Sequence, residues 1–187
     1  MNELRILSEE ANDILIAGHI RPDGDCVGAC IAAYHYLHNI YPEKNIEVYL
    51  ENTPETFAFM DKDNAIISHT ITDKQYDLFL ALDTSSPDRL GEAQKNFFRA
   101  KMTMCVDQNF IEPDASAACE VLYGLMADED IDFAIAEALY IGIIFDSGVF
   151  RYSNTSKKTM EIAGTLMEKG IPFWNYIDKC FYERTYT

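Results

Sequence analysis

The chain has 187 residues, a length that suits one domain with a substantial hydrophobic core. It carries 15 Lys and Arg against 31 Asp and Glu, and the net charge of −16 opposes capture of duplex nucleic acid through its phosphates. The five cysteines are scattered and form no CxxC pair, so neither a disulfide framework nor a zinc ribbon is expected, and a reducing compartment is indicated.

The first residues lack the basic-then-apolar pattern of a signal peptide, so we expect neither a signal peptide nor a membrane span there. Met1–Asn12 has the spacing of a short amphipathic helix. The apolar run Asp13–Gly18 is far shorter than the roughly 18 residues of a membrane span and predicts a buried strand instead. Because no run of that length occurs anywhere in the chain, we expect a soluble, cytoplasmic protein without a membrane partner.

The loop after this strand carries the first group of chemically active side chains. It reads HIRPDGDCVG and places His19, Asp23 and Asp25 close together, ahead of a helix predicted from about Asp25 to His38. Unpaired like charges at this spacing would be strongly destabilising, and a bound cation would relieve them. The alternative is structural, with Asp25 acting only as the N-cap of the helix.

Two residue pairs on this predicted helix were also considered as metal ligands. Cys26 and Cys30 are four residues apart, and we interpret them as small buried core residues. His35 and His38 are three residues apart, but no carboxylate of the proposed cluster lies near them in sequence. We interpret these histidines as surface or hydrogen-bonded core residues.

Further strands are predicted at Ile46–Leu50, Ala65–Ile67, Tyr76–Leu82 and Lys101–Val106. The last two are followed directly by Asp83 and Asp107. The carboxyl ends of parallel strands share one edge of a sheet, which is the usual ligand crevice of such folds. We therefore expect an α/β fold, a parallel sheet flanked by helices, with a metal site at that edge.

The second half of the chain is predicted to be mainly helical. One helix begins within Asp114–Glu120, with Asp114 or Ser116 as its N-cap. The almost wholly apolar helix Phe133–Phe145 is expected to be central, and it delivers Asp146 at its end. The helix macrodipole disfavours a negative charge there, so this carboxylate also calls for a cation.

Four stretches, taken together and in order, resemble the DHH phosphoesterase family, particularly its branch of nanoRNases and 3′-phosphoadenosine 5′-phosphate (pAp) phosphatases. HIRPDGDCVG resembles the first motif, ALDTSSPDRLG the second, LYIGIIFDSGVFRYSNTS the fourth, and EPDASAACEVLY the segment before the fourth. The resemblance implies the family's α/β catalytic domain over residues 1–180.

The resemblance also implies a role for individual side chains. His19, Asp23 and Asp83 would hold one metal ion, and Asp25, Asp83 and Asp146 a second, so that Asp83 bridges the two. Mn²⁺ is the implied ion and Mg²⁺ the alternative, since oxygen ligands with one imidazole suit both. The implied catalytic residues are Asp83 and Asp107, and the implied substrate-binding residues are Asn109 and Arg151.

The third motif departs from the family, which is named after an Asp-His-His sequence at this place. The chain reads Asp107-Gln108-Asn109 and then reaches EPDASAACE sooner than the family does. Either the site is degenerate, with Gln108 a poor substitute for a metal-binding histidine, or a loop carrying both histidines is missing from the sequence. We favour the missing loop, because the other ligand positions match the family.

The end of the chain also differs from the family's usual organisation. FYERTYT, Phe181–Thr187, resembles the start of a linker to a smaller C-terminal substrate-binding domain. We therefore expect the catalytic lobe alone, with little of the surface that selects a substrate.

Three functions stay open from the sequence. The leading one is a manganese-dependent hydrolase of small phosphate esters, with a small nucleotide or short oligonucleotide as substrate and a second copy as partner in a homodimer. A manganese-dependent inorganic pyrophosphatase shares the metal loop, although RYSNTS after Asp146 resembles the nucleotide-handling branch more. A catalytically impaired domain acting as a nucleotide-binding or interaction module is favoured if Asp107-Gln108-Asn109 is genuine.

Overall fold

The computed structural model describes residues 3–62, 64–67 and 73–182. At its centre lies a sheet of five parallel strands in the order β3-β2-β1-β4-β5. The strands are β1 (Asp13–Ala17), β2 (Asn45–Tyr49), β3 (Ile66–Ile67), β4 (Leu78–Leu82) and β5 (Met102–Val106). The predicted parallel sheet is thus confirmed, with strand boundaries within two residues of those expected.

β1 and β4 lie in the middle of the sheet because their side chains are apolar toward both faces. All five residues of β4 and four of the five in β1 are buried, as is typical of central strands in parallel sheets. The register sets Ala17 of β1 beside Tyr49 on one side and Ala81 on the other. The carboxyl ends of these strands therefore lie side by side, where the first loop and Asp83 begin.

Helices cover both faces of the sheet. They are α1 (Glu3–Glu9), α2 (Gly24–Ile40), α3 (Gln94–Arg99), α4 (Gln108–Ile111), α5 (Ala118–Gly124), α6 (Phe133–Asp146), α7 (Lys157–Glu168) and α8 (Phe173–Ile177). The larger core packs α2 and α6 on one face, and the 3₁₀ segment Pro87–Ala93 with α3 covers the other. Within the larger core, α2 and α6 approach so closely that a Cβ at Gly28 would lie 2.5 Å from the carbonyl oxygen of Ala138.

Helix α5 begins differently from the prediction. Its N-cap is Ala117, which has no side-chain acceptor, so the expectation that Asp114 or Ser116 caps the helix is wrong. Ser116 is engaged elsewhere, because its amide and its hydroxyl both donate to the Glu120 carboxylate. The first amides of α5 consequently need an acceptor from another part of the chain.

The ends of the chain are only partly described. Residues 1 and 2 of the predicted first helix and residues 183–187 of the predicted linker lie outside the described residues. Phe181 and Tyr182 complete a π-helical stretch, Asp178–Tyr182, that follows α8. None of the described helices is both long and apolar enough to cross a bilayer.

Candidate metal centre

The N-terminus of α2 fixes Asp23 at the sheet edge. Asp23 is the N-cap of this helix: its Oδ1 accepts hydrogen bonds from the amides of Asp25 and Cys26, both at 3.1 Å. A carboxylate suits this position because it satisfies amides that have no partner within the helix. Its Oδ2 lies 3.9 Å from Nε2 of His19. The alternative in which Asp25 is the cap is therefore wrong.

His19 is held with one ring nitrogen turned toward the carboxylates. Nδ1 donates to the carbonyl oxygen of Ile20 at 2.9 Å, which leaves Nε2 for the site. Nε2 lies 3.2 Å from Oδ2 of Asp83, and the residue is 5 % exposed. Burial favours the neutral ring, but contacts with Asp83 and Cys26 outweigh it and raise the pKa of His19 to about 11.

Asp83 occupies the turn that ends β4. Its backbone is left-handed, with φ at +49°, a conformation that Asp tolerates better than most residues. Its amide donates to the carbonyl oxygen of Val106 at 2.9 Å and so continues the pairing between β4 and β5. These constraints hold the carboxylate beside His19 at the carboxyl edge of the sheet.

Asp25 supplies the acceptor that α5 lacks. It is wholly buried, and its Oδ2 and Oδ1 accept hydrogen bonds from the amides of Ala118 at 2.6 Å and Cys119 at 3.0 Å. A negative charge is favourable at this helix end because the amides there carry partial positive charge. Asp25 therefore caps α5 across the fold, and it joins the first loop to the second half of the chain.

Asp146 is the last residue of α6, and its charged neighbours are Asp25, Asp23 and His19. Asn154, on the turn that follows, donates through Nδ2 to the carbonyl oxygens of Asp146 and Ser116, each at 3.1 Å. These two bonds tie the end of α6 to the segment before α5. The backbone that carries Asp146 is thereby fixed relative to the segment capped by Asp25.

Three carboxylates of the cluster, those of Asp25, Asp83 and Asp146, have raised pKa values. The pKa of Asp25 is raised by burial and by repulsion from Asp83. Burial and repulsion from Asp23 and Asp146 raise the pKa of Asp83 despite its bond to His19. The pKa of Asp146 is raised by burial and then by Asp25 and Asp23. Four carboxylates thus share the positive charge of one imidazole.

The remaining predicted site residues, Asp107, Asn109 and Arg151, follow the ends of β5 and α6, but within the described part of the chain they are not hydrogen-bonded to the cluster around Asp83. Asp107 is buried and caps the short helix α4, with Oδ1 accepting from the amide and Nδ2 of Asn109. Gln108 has a buried Oε1 that finds no hydrogen-bond partner among the described residues. The side chains of Asn109 and Arg151 are exposed. The structure therefore brings together His19, Asp23, Asp25, Asp83 and Asp146. Among the described residues, neither Asp107 nor Arg151 forms a side-chain hydrogen bond or ion pair with them.

The donor set around Asp83 fits a divalent cation. Two ligands of one such ion, each about 2.1 Å from it, lie roughly 3 Å apart. Nε2 of His19 and Oδ2 of Asp83 have this spacing, and Oδ2 of Asp23 is slightly farther from the same nitrogen. The fit is poorer around Asp25, because both its oxygens already accept amide hydrogen bonds.

Two supporting residues were not singled out from the sequence. Gly142 lies in α6, where a Cβ would come 2.7 Å from Oδ1 of Asp25 and 2.3 Å from Sγ of Cys119. Glu120 is wholly buried and accepts hydrogen bonds from Ser116 and Thr159, which fixes the segment before α5. A glycine inside a long apolar helix was a usable signal, since it costs about 1 kcal/mol there relative to alanine and usually has a packing reason.

The metal-free protein is expected to lose stability as the pH rises from 5 to 8. Folding raises the pKa of Asp25 and Asp146 from near 4 to about 7, so the folded state binds more protons than the unfolded state in that window. The raised pKa of His19 acts in the same direction from about pH 6.5 upward. Each extra proton bound changes the free energy of unfolding by about 1.4 kcal/mol per pH unit.

Melting curves recorded with a chelator between pH 5 and 8 would measure this trend. Saturating Mn²⁺ should reverse it, because the ligands must be deprotonated to bind a metal. A Tm that rises with pH in the chelator would contradict the mutual repulsion of the carboxylates.

Comparison with known proteins places these features in a family. The sequence profile described as "DHH family, N-terminal domain" matches residues 13–143. A bifunctional oligoribonuclease and PAP phosphatase, NrnA, from Mycoplasma genitalium is 29 % identical over 174 residues, covering 84 % of this chain and 54 % of that protein. The Bacillus subtilis protein of the same name is 28 % identical over 171 residues, covering 83 % of this chain and 52 % of that one. The chain thus spans about half the length of the curated relatives it matches.

One solved structure agrees with the architecture over nearly the whole chain. An exopolyphosphatase-related protein from Bacteroides fragilis matches with a TM-score of 0.85, covering 97 % of this chain and 59 % of that one. The sequences are 21 % identical, so this similarity shows the fold alone.

Proposed function

The chain belongs to the DHH family, and from that premise we propose that it is a divalent-metal-dependent hydrolase of small phosphate esters. Mn²⁺ would be the ion, and short oligoribonucleotides or 3′-phosphoadenosine 5′-phosphate the substrates. The names of the curated relatives support these substrates, since they are oligoribonucleases and PAP phosphatases. The net charge of −16 favours a small substrate over a long duplex.

One observation carries the proposal: the fold gathers an imidazole and four carboxylates at the carboxyl edge of a parallel sheet, and His19, Asp25 and Asp83 of this set are buried. An arrangement of this kind is costly without a counter-ion, as the raised pKa values of Asp25, Asp83 and Asp146 indicate. Clusters of ionisable side chains with strongly shifted pKa values are typical of functional sites, where binding or catalysis requires them. A bound cation would turn this repulsion into attraction.

Each residue of the cluster has a task in the proposal. His19, Asp23 and Asp83 would hold the first ion, and Asp83 would share a second with Asp25 and Asp146. When bound, such ions neutralise phosphoryl oxygens and lower the pKa of the water that attacks phosphorus. The bond from Nδ1 of His19 to Ile20 keeps Nε2 aimed at the site, and the capping bonds of Asp23 fix its carboxylate.

Other residues would orient the substrate. Arg151 is exposed on the turn after α6, and its guanidinium is suited to two parallel hydrogen bonds with a phosphate. Asn109 would donate its amide to another phosphate oxygen. Asp107 would orient the attacking water through Oδ2, because both of its described contacts with Asn109 use Oδ1.

We expect slow, Mn²⁺-dependent hydrolysis of a small chromogenic phosphodiester, with one ion bound well and a second bound weakly. The second position would be weaker because Asp25 is engaged with α5 and because, if Asp107-Gln108-Asn109 is genuine, Gln108 replaces an imidazole of the family's third motif. Loss of a ligand's support commonly costs about 10- to 100-fold in metal affinity or activity. Calorimetric titration with Mn²⁺ would give the stoichiometry, and product release with Mn²⁺ or chelator would give the rate.

The outcomes separate the three functions. Two equally tight ions or efficient dinucleotide cleavage would contradict the weakened second position. Faster turnover of inorganic pyrophosphate than of pAp or the diester would favour a pyrophosphatase. Tight nucleotide binding without any turnover would favour the binding module. Its supporting observation is that Oε1 of Gln108 is buried without a hydrogen-bond partner among the described residues.

A further inference from the structure

The sulfur of Cys26 lies directly beside the metal centre. Cys26 is in the first turn of α2 and is wholly buried. Its Sγ, a ring nitrogen of His19 and a carboxylate oxygen of Asp83 all lie within 4.8 Å of one another. These atoms come from the first loop, α2 and the end of β4, so the fold and not a local sequence spacing brings them together.

The backbone holds this sulfur in place. A Cβ at Gly18 would lie 2.2 Å from Sγ of Cys26, so the space for the sulfur exists because residue 18 is glycine. The amide of Cys26 is one of the two that Asp23 caps, which fixes the first turn of α2. Cys30, one turn farther along α2, is equally buried but is not a member of the group with His19 and Asp83.

We infer that Cys26 is a sulfur ligand of the first metal position, together with His19 and Asp83, and that it shifts the preference of this position toward Zn²⁺ and Co²⁺. The inference rests on the metal centre of the proposed function. On binding, the thiol proton passes to the buffer and a metal–sulfur bond forms. A thiolate beside an imidazole favours Zn²⁺ and Co²⁺, whereas carboxylates with one imidazole suit Mn²⁺ or Mg²⁺.

Co²⁺ titration of the full, metal-free chain tests this directly, because thiolate ligation of Co²⁺ gives a near-ultraviolet charge-transfer band that oxygen and nitrogen ligands do not give. We expect the band in the wild-type chain and in Cys30→Ala, and its loss in Cys26→Ala and Cys26→Ser. Zn²⁺ affinity, measured by competition with a chromogenic chelator, should fall at least about tenfold in both Cys26 variants. Mn²⁺ affinity should fall by a smaller factor than Zn²⁺ affinity, because Mn²⁺ gains less from sulfur.

Cys26→Ser keeps the size of the side chain, so it serves if Cys26→Ala is poorly folded. Co²⁺ binding without the band in the wild-type chain would overturn the inference, and so would a band that persists in a folded Cys26 variant. In either case Mn²⁺ binding and Mn²⁺-dependent hydrolysis would leave the proposed function standing. Failure of the wild-type chain to bind any of the three ions would overturn both.

Discussion

Asp83→Asn is expected to abolish Mn²⁺ binding and Mn²⁺-dependent hydrolysis while leaving the fold intact. Asp83 lies 3.2 Å from His19 and is the carboxylate that both proposed ions share. The amide removes the charge but keeps a side chain that tolerates the left-handed backbone at φ +49°. Loss of the charge removes the cost of burying the carboxylate and its repulsion from Asp23 and Asp146, which together outweigh its attraction to His19. The metal-free variant should therefore be no less stable than the metal-free wild type above pH 7.

Calorimetric Mn²⁺ titration, turnover of the chromogenic diester and a melting curve in chelator would measure these three effects. Asp88→Asn is the matched control, since Asp88 is exposed and lies only five residues farther along the same connection. The control should keep both metal binding and activity. Unchanged Mn²⁺ stoichiometry in Asp83→Asn would contradict the shared-ligand role.

Gly142→Ala is expected to destabilise the protein and to disturb Asp25. A methyl group at residue 142 would come 2.3 Å from Sγ of Cys119 and 2.7 Å from Oδ1 of Asp25, inside the packed core between α6 and α5. Overpacking of this kind typically costs about 1 to 3 kcal/mol. Because the methyl group would meet two atoms closer than 3.0 Å, we expect a cost in the upper part of this range. It would then exceed the roughly 1 kcal/mol that alanine gains over glycine inside a helix, and the net effect should be a loss of up to about 2 kcal/mol.

Gly164→Ala provides the control, because Gly164 lies inside α7 and a Cβ there would meet nothing within 4 Å. That variant should gain stability by about 0.5 to 1 kcal/mol through helix propensity alone. Urea unfolding of both variants, with wild type alongside, would compare the two signs. If Gly142→Ala stabilised the protein, α6 would have shifted without a free-energy cost, and the close contact of residue 142 with Asp25 would not limit the size of its side chain.

The framework of the fold was accessible from the sequence because it depends on local patterns. β1 and β4 are continuous apolar runs, as central parallel strands require, and the buried helix α6 was recognisable from its lack of polar residues. The convergence of Asp83 with the first loop followed from one rule, that parallel strands share a carboxyl edge. Asp146 ends a helix, and its place in the site was predicted from the unfavourable macrodipole there and from the family resemblance. Their role as metal ligands stays a prediction.

The contacts that shape the site could not be predicted, because they join distant segments. Nothing near Ala117 indicates that α5 is capped by Asp25, which lies 93 residues before Ala118. From the sequence, Cys26 and Cys30 were both interpreted as small buried core residues. In the structure only Cys26 lies beside His19 and Asp83, and Gly18 leaves the space for its sulfur. Such distinctions depend on side-chain packing between elements, and spacing along one element does not report it.

The cap that Asp25 provides for α5 also bears on how fast the folded chain comes apart. Its two bonds span 93 and 94 residues, so they require the closure of a very long loop, and we expect them to form late in folding. The repulsion among the assembled carboxylates then destabilises the native state more than the transition state. It accelerates unfolding and leaves the folding rate nearly unchanged. A cation that recognises only the completed cluster would lengthen the lifetime of the folded chain without hastening its formation.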